Sequence, residues 1–84
     1  MKIMYFAWIR ERVGTSQEEI DLPAEIDSVA SFLSWMKSRG DEFAYALESD
    51  SAIRVALDRE HCNDFSRSLN GVQEIALFPP MTGG

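Results

Sequence analysis

Cysteine, histidine and positive charge are all scarce in this chain of 84 residues. Its one cysteine, Cys62, can form no internal disulfide, which fits a reducing compartment such as the cytoplasm. Its one histidine, His61, has no second His or Cys partner with which to build a metal site. Lys and Arg number 8 against 14 Asp and Glu, giving a net charge of -6 and a pI near 4.6. Such a surface repels phosphate backbones and excludes nucleic acid as the expected partner; the composition suits docking onto a basic protein surface. No apolar run reaches membrane-spanning length, the N-terminus lacks a signal-peptide pattern, and there is no repeat or glycine-rich phosphate loop. What remains is 45% hydrophobic residues, enough for one domain with a modest core.

Conventional active-site chemistry is equally thin. His61 and Cys62 are adjacent, but neighbours on a strand point to opposite faces and cannot share a hydrogen bond. Cys62 is expected in the core and His61 at the surface. The carboxylates are scattered over polar faces with no acid–base pair among them. If the chain takes part in chemistry, the reactive group is its C-terminal carboxylate.

The C-terminal stretch is what the sequence has in place of an active site. Residues 1–78 read as one compact domain and 79–84 as a flexible tail. Pro79 and Pro80 fix φ and remove two N–H donors, so strand pairing stops at Phe78 and the chain leaves extended. Met81 and Thr82 come next, and Gly83 and Gly84 have no Cβ to clash in a narrow channel. From Pro79 onward the tail can reach about 20 Å, at roughly 3.3–3.6 Å per residue.

Before the tail, Lys2 to Ile9 is apolar at almost every position and reads as a strand covered on both faces. Arg10 to Gly14 is expected as a short helical turn closed by the glycine. Gln17 to Leu22 is a more polar, edge-type strand ended by Pro23. Asp27 or Ser28 caps a helix from about Val29 to Arg39, whose Val29, Phe32, Leu33 and Met36 share one face; Gly40 stops it. Asp41 opens a short second helix that buries Phe43, Ala46 and Leu47. Ile53, Val55 and Leu57 alternate with polar or small residues as a strand, Glu60 to Cys62 is a short strand after a tight turn, and Asn70-Gly71 marks another turn. In the last strand, Gln73 to Phe78, Ile75 and Leu77 take one face and Ala76 and Phe78 the other. A mixed sheet of about five strands with one main helix and a short second one is an α+β fold; with first and last strands side by side it is the β-grasp, or ubiquitin-like, fold. By alternation Phe6 and Phe78 point away from the helix and form a docking patch.

Two motifs at opposite ends carry a resemblance to a known family. Phe6-Ala7, Arg10-Glu11 and Gly14 match the pattern F-A-x-x-R-E-x-x-G, and Leu77-Phe78-Pro79-Pro80-Met81-Thr82-Gly83-Gly84 is close to F-F-P-P-V-T-G-G. Over its whole length the chain resembles the small subunits of molybdopterin synthases, ubiquitin-like sulfur carriers of molybdenum-cofactor biosynthesis. The resemblance implies a non-catalytic, sulfur-carrying subunit of a heterotetrameric, cytoplasmic enzyme complex. An adenylating, E1-like activating enzyme would use ATP in trans on the Gly84 carboxylate, and sulfur would replace AMP to leave a thiocarboxylate. The synthase large subunit would then receive that sulfur for the dithiolene of molybdopterin. Phe6, Phe78, Pro79, Pro80, Met81, Thr82 and Gly83 would contact these partners; no cofactor or metal is expected on the chain itself. Two departures stand out: His61 lies where the family commonly has an apolar docking residue, and Asn70-Gly71-Val72-Gln73-Glu74 replaces its Asp-Gly-Asp-Glu. The alternatives are a sulfur carrier for thiamine biosynthesis or tRNA thiolation, a ubiquitin-like modifier conjugated to lysines, and a β-grasp binding module with an idle tail.

Overall fold

In a computed structural model that describes residues 1–80, five strands form one sheet. They are β1 (Lys2–Tyr5), β2 (Gln17–Glu19), β3 (Arg54–Leu57), β4 (Glu60–Cys62) and β5 (Glu74–Phe78), in the spatial order β2-β1-β5-β3-β4. β5 is central. It runs parallel to β1 and antiparallel to β3, while β1–β2 and β3–β4 pair antiparallel. The first and last strands therefore lie side by side, as expected, and the chain's two ends anchor each other.

Three helices accompany the sheet: α1 (Ala7–Val13), α2 (Val29–Lys37) and α3 (Asp41–Ala46). A 3₁₀ turn at Asp50–Ala52 precedes β3. The first strand is shorter than the run of apolar residues suggests. It stops at Tyr5, and a full helix replaces the short turn expected at Arg10 to Gly14. The apolar run hides a change of period, from Ile3 and Tyr5 two apart to Ile9 and Val13 four apart. Phe6 is the extended N-cap, Ala7 takes a left-handed φ of 53°, and Gly14 ends the helix at φ 96° with its N–H on the Arg10 carbonyl at 2.8 Å.

α2 agrees with expectation, with Ser28 rather than Asp27 at its cap. The Ser28 hydroxyl accepts from the Ser31 N–H while the Ser31 hydroxyl accepts from the Ser28 N–H, a reciprocal cap. Val29, Phe32, Leu33 and Met36 are buried in one core with Ile3, Tyr5, Val55, Ile75 and Leu77. Gly40 does not stop α2; it is the N-cap of α3, where Phe43, Ala46 and Leu47 turn inward as anticipated.

Arg39, just past the end of α2, reaches edge strand β2. Its two terminal nitrogens donate to both oxygens of Glu18, at 2.9 and 3.0 Å, and the Tyr5 hydroxyl donates to the same carboxylate. The guanidinium also lies 4.3 Å from the Phe43 ring centre. This cluster ties edge strand β2 to the end of α2. Arg39 hydrogen bonding holds the Glu18 carboxyl below its ordinary value, and burial pushes the Tyr5 hydroxyl up, so it stays a donor. A carboxyl depressed in the folded state stabilises above its unfolded pKa of about 4.3 and loses that stabilisation as pH falls toward its folded value. Glu18→Gln is expected to cost about 1.5 kcal/mol at neutral pH, the scale of a charge-assisted hydrogen bond. Urea unfolding of wild type and mutant should converge as pH drops below that range; a constant gap would show that charge is not the cause.

The β3–β4 connection is a two-residue turn. Asp58 and Arg59 take φ 49° and 72°, positions that favour Gly or Asn. Asp58 has a separate use there: one carboxylate oxygen accepts from the backbone N–H groups of Gln73 and Glu74, at 3.0 and 2.9 Å, clamping the turn to the start of β5. Asp58→Ala is expected to lower stability by about 1 kcal/mol while Asp58→Asn retains most of it, measured by thermal unfolding.

Candidate functional site: the open face of the sheet and the tail exit

Register decides which side chains share a face. Ile3 sits opposite Ile75, and Tyr5 opposite Leu77, and all four are buried beneath the helices. Met4 and Ala76 sit opposite each other between those pairs, so they face the other way. Phe78 and Ala56 join them on that side, with Ala56 opposite both Ala76 and His61. Among the described residues, no helix covers this open face.

An apolar groove of about 600 Å³ lies on it. Met4 and Ala76 line its middle, and Phe6, Ala7, Phe78, Pro79 and Pro80 line the end where β1 and β5 finish. Phe6 is 43% exposed, one of two large apolar side chains so open among the described residues. The left-handed Ala7 turns the chain from β1 into α1 immediately after Phe6. The expected face for Phe6 and Phe78, away from α2, is thus observed. Pro79 and Pro80, which end the last strand as expected, line the groove as they leave it.

His61 and Cys62 part company as anticipated. Cys62 is buried, with its S–H directed at the Asp64 carbonyl at 3.2 Å. The exposed His61 ring lies 6.0 Å from the Phe78 ring, tilted by 47°, at the position where the resemblance implies an apolar docking residue. Arg59, Lys2 and Glu74 close the end of the groove away from the tail. The ammonium of Lys2 and the Glu74 carboxylate are 4.0 Å apart.

Met4, Ala7 and Ala76 were not singled out from the sequence, although Met4 and Ala76 could have been: each is apolar on the face opposite the core residues. Arg59 carried no such signal, because only the folded turn brings it across to β5. Met81, Thr82, Gly83 and Gly84 lie outside the described residues, and with them most of the expected 79–84 tail. A second depression of about 880 Å³ lies beside Met1, Asp58 and Glu74, at the end of β5 opposite the tail exit. Among the described residues there is no group of three metal-ligating side chains, and no helix is long and apolar enough to cross a membrane.

A mixed sheet with parallel first and last strands, a helix across one face and a chain end leaving the central strand beside an open apolar face defines a β-grasp, ubiquitin-like protein. Comparison with known proteins narrows this. The chain belongs to the ThiS family, whose model matches residues 3–84. It is 34% identical to the molybdopterin synthase sulfur carrier subunit of Escherichia coli, over 100% of this chain and 99% of that one. The Haemophilus influenzae protein of the same name is 32% identical over the same shares. Among solved structures, SAMP1 from Haloferax volcanii superposes with a TM-score of 0.71 at 26% identity, covering 100% of this chain and 98% of the other.

Proposed function

We propose that this protein is the sulfur-carrying small subunit of a molybdopterin synthase. The observation that carries the reading is the position of the tail exit. The central strand delivers Phe78, Pro79 and Pro80 straight into the lining of the open groove, so a partner seated there also receives the chain end. Relatives that match over the full chain are named for that role.

The chemistry resides in the terminal carboxylate of Gly84. An E1-like activating enzyme transfers AMP from ATP to that carboxylate and releases pyrophosphate, which supplies a leaving group. A sulfur nucleophile attacks the acyl carbon, AMP departs, and a thiocarboxylate remains. Its sulfur is anionic at neutral pH and is itself the nucleophile in the next step, within the synthase large subunit. The groove then holds the domain while Met81, Thr82 and Gly83 lead the sulfur to the reacting centre. Phe6, Phe78, Pro79 and Pro80 make the docking contacts. Neither step requires a cysteine in the carrier, which suits a Cys62 buried beneath the sheet. The use of cellular ATP and the unpaired thiol both support a cytoplasmic protein.

Intact-mass spectrometry of the protein from its native cells tests this. The expected species is heavier than the encoded chain by the exchange of one oxygen for sulfur. A stable adduct of another protein on Gly84 would identify a conjugated modifier instead. An unmodified terminus in cells actively making molybdopterin would overturn the reading.

A further inference from the structure

The composition alone points to a basic partner, but the structure distributes charge unevenly. The chain has 8 Lys and Arg among 14 acids, so most cations should find a carboxylate. Lys2, Arg12 and Arg39 do, and Arg67 lies beside Asp64. Arg54 donates to the Ser51 carbonyl, and Lys37 is engaged as well. Among the described residues, the side chains of Arg10, Arg59 and Arg67 make no hydrogen bond or ion pair, and of these three only Arg67 has a carboxylate beside it. Arg10 and Arg59 are both exposed. Arg59 lines the far end of the groove. Arg10 is not among the lining residues; it lies one turn along α1 from Phe6 and Ala7, which line the other end, and its backbone N–H donates to the Phe6 carbonyl at 3.3 Å.

A partner that covers this groove also removes water from its rim. An arginine that loses water without gaining an acceptor opposes binding, and one that meets a carboxylate favours it. Glu74 cannot serve both, being at the Arg59 end and already beside Lys2. Resting on the sulfur-carrier reading, we propose that the surface received by this groove is an apolar protein surface flanked by carboxylates, which Arg10 and Arg59 engage at its two ends. The acidic remainder of the domain then faces away from the interface. The two arginines set the approach and orientation of the docked domain, and take no part in the sulfur chemistry.

The test uses the full-length chain and the purified molybdopterin synthase large subunit of the same organism, with association followed by stopped-flow fluorescence. Arg10→Glu and Arg59→Glu are combined, and Arg67→Glu, on the loop that bonds to the start of α2, is a control. Circular dichroism establishes that each variant is folded. The double variant is expected to associate about tenfold or more slowly at low salt, because rim charges act mainly on encounter. The difference should shrink at molar salt, where the Debye length falls to about 3 Å. Arg67→Glu should remain near wild type, and Arg10→Lys with Arg59→Lys should restore most of the rate. Equal rates for wild type and double variant overturn the proposal, as does a loss per charge in Arg67→Glu equal to that in the double variant. Faster binding by the double variant shows a basic partner surface and overturns it too. A wild-type chain that does not bind the large subunit at all removes the functional reading and this inference together, an outcome distinct from the other three.

Discussion

Removal of Gly84 is expected to abolish sulfur delivery and leave the fold intact. The deletion draws the carboxyl back by roughly 3.3–3.6 Å, one residue of extended chain. A displacement of about 1 Å in a positioned reaction can cost on the order of a hundredfold, so the loss should be at least that large. The core is built from Ile3 to Leu77, so thermal unfolding should be unchanged. The measurement is molybdopterin formation from precursor with purified large subunit, each variant first exposed to the activating enzyme, ATP and sulfide. Cys62→Ser and His61→Ala are the comparisons. The serine hydroxyl can replace the S–H that meets the Asp64 carbonyl, though at some cost in stability, and His61→Ala removes only an exposed ring beside Phe78. A deletion mutant that still accepts and delivers sulfur at the wild-type rate would remove the mechanism. So would a folded, docked Cys62→Ser protein that carries none.

Phe78→Ala should weaken binding to the large subunit by about 2 kcal/mol, the scale of an aromatic interface anchor, or roughly thirtyfold in Kd. Phe78 lines the groove and touches the His61 ring, while its backbone completes the pairing of β5 with Arg54 of β3. Some loss of stability is therefore built in, and Phe6→Ala separates the two effects. Phe6 is 43% exposed and lines the same groove, so its truncation removes contact surface at little cost to the core. Calorimetric titration of both variants, corrected for the folded fraction, is the check. If Phe78→Ala unfolds the domain while affinity per folded molecule is unchanged, and Phe6→Ala binds as wild type does, the groove is not the interface.

Much of this architecture could be read from the chain. The alternation of Ile53, Val55 and Leu57, the helical spacing of Val29, Phe32, Leu33 and Met36, and the opposed faces of Ile75 and Phe78 each come from local periodicity, and each is observed. The Pro79-Pro80 exit was equally plain, because loss of two N–H donors is a property of the residues themselves. The switch at Phe6 and Ala7 was not. A continuous apolar run satisfies both periods, and only packing of Ile9 into the core selects the helix.

The sequence by itself determined the fold class, the core and the buried position of Cys62, because these depend on periodicity and side-chain type; the proposal that Gly84 carries the chemistry comes from the same source, through the lack of alternatives. The tertiary structure decided what the outer surface is. A sequence records net charge but not its placement, and it could not reveal that Arg39 would pair with Glu18 while Arg59 stayed unpaired at one end of the groove. Nor could it show that Met4 and Ala76 would meet in the middle of that groove, since their contact depends on the register of strands β1 and β5, which lie at opposite ends of the chain. Local rules act over a few residues; pairings of such separation are settled only when the whole core closes.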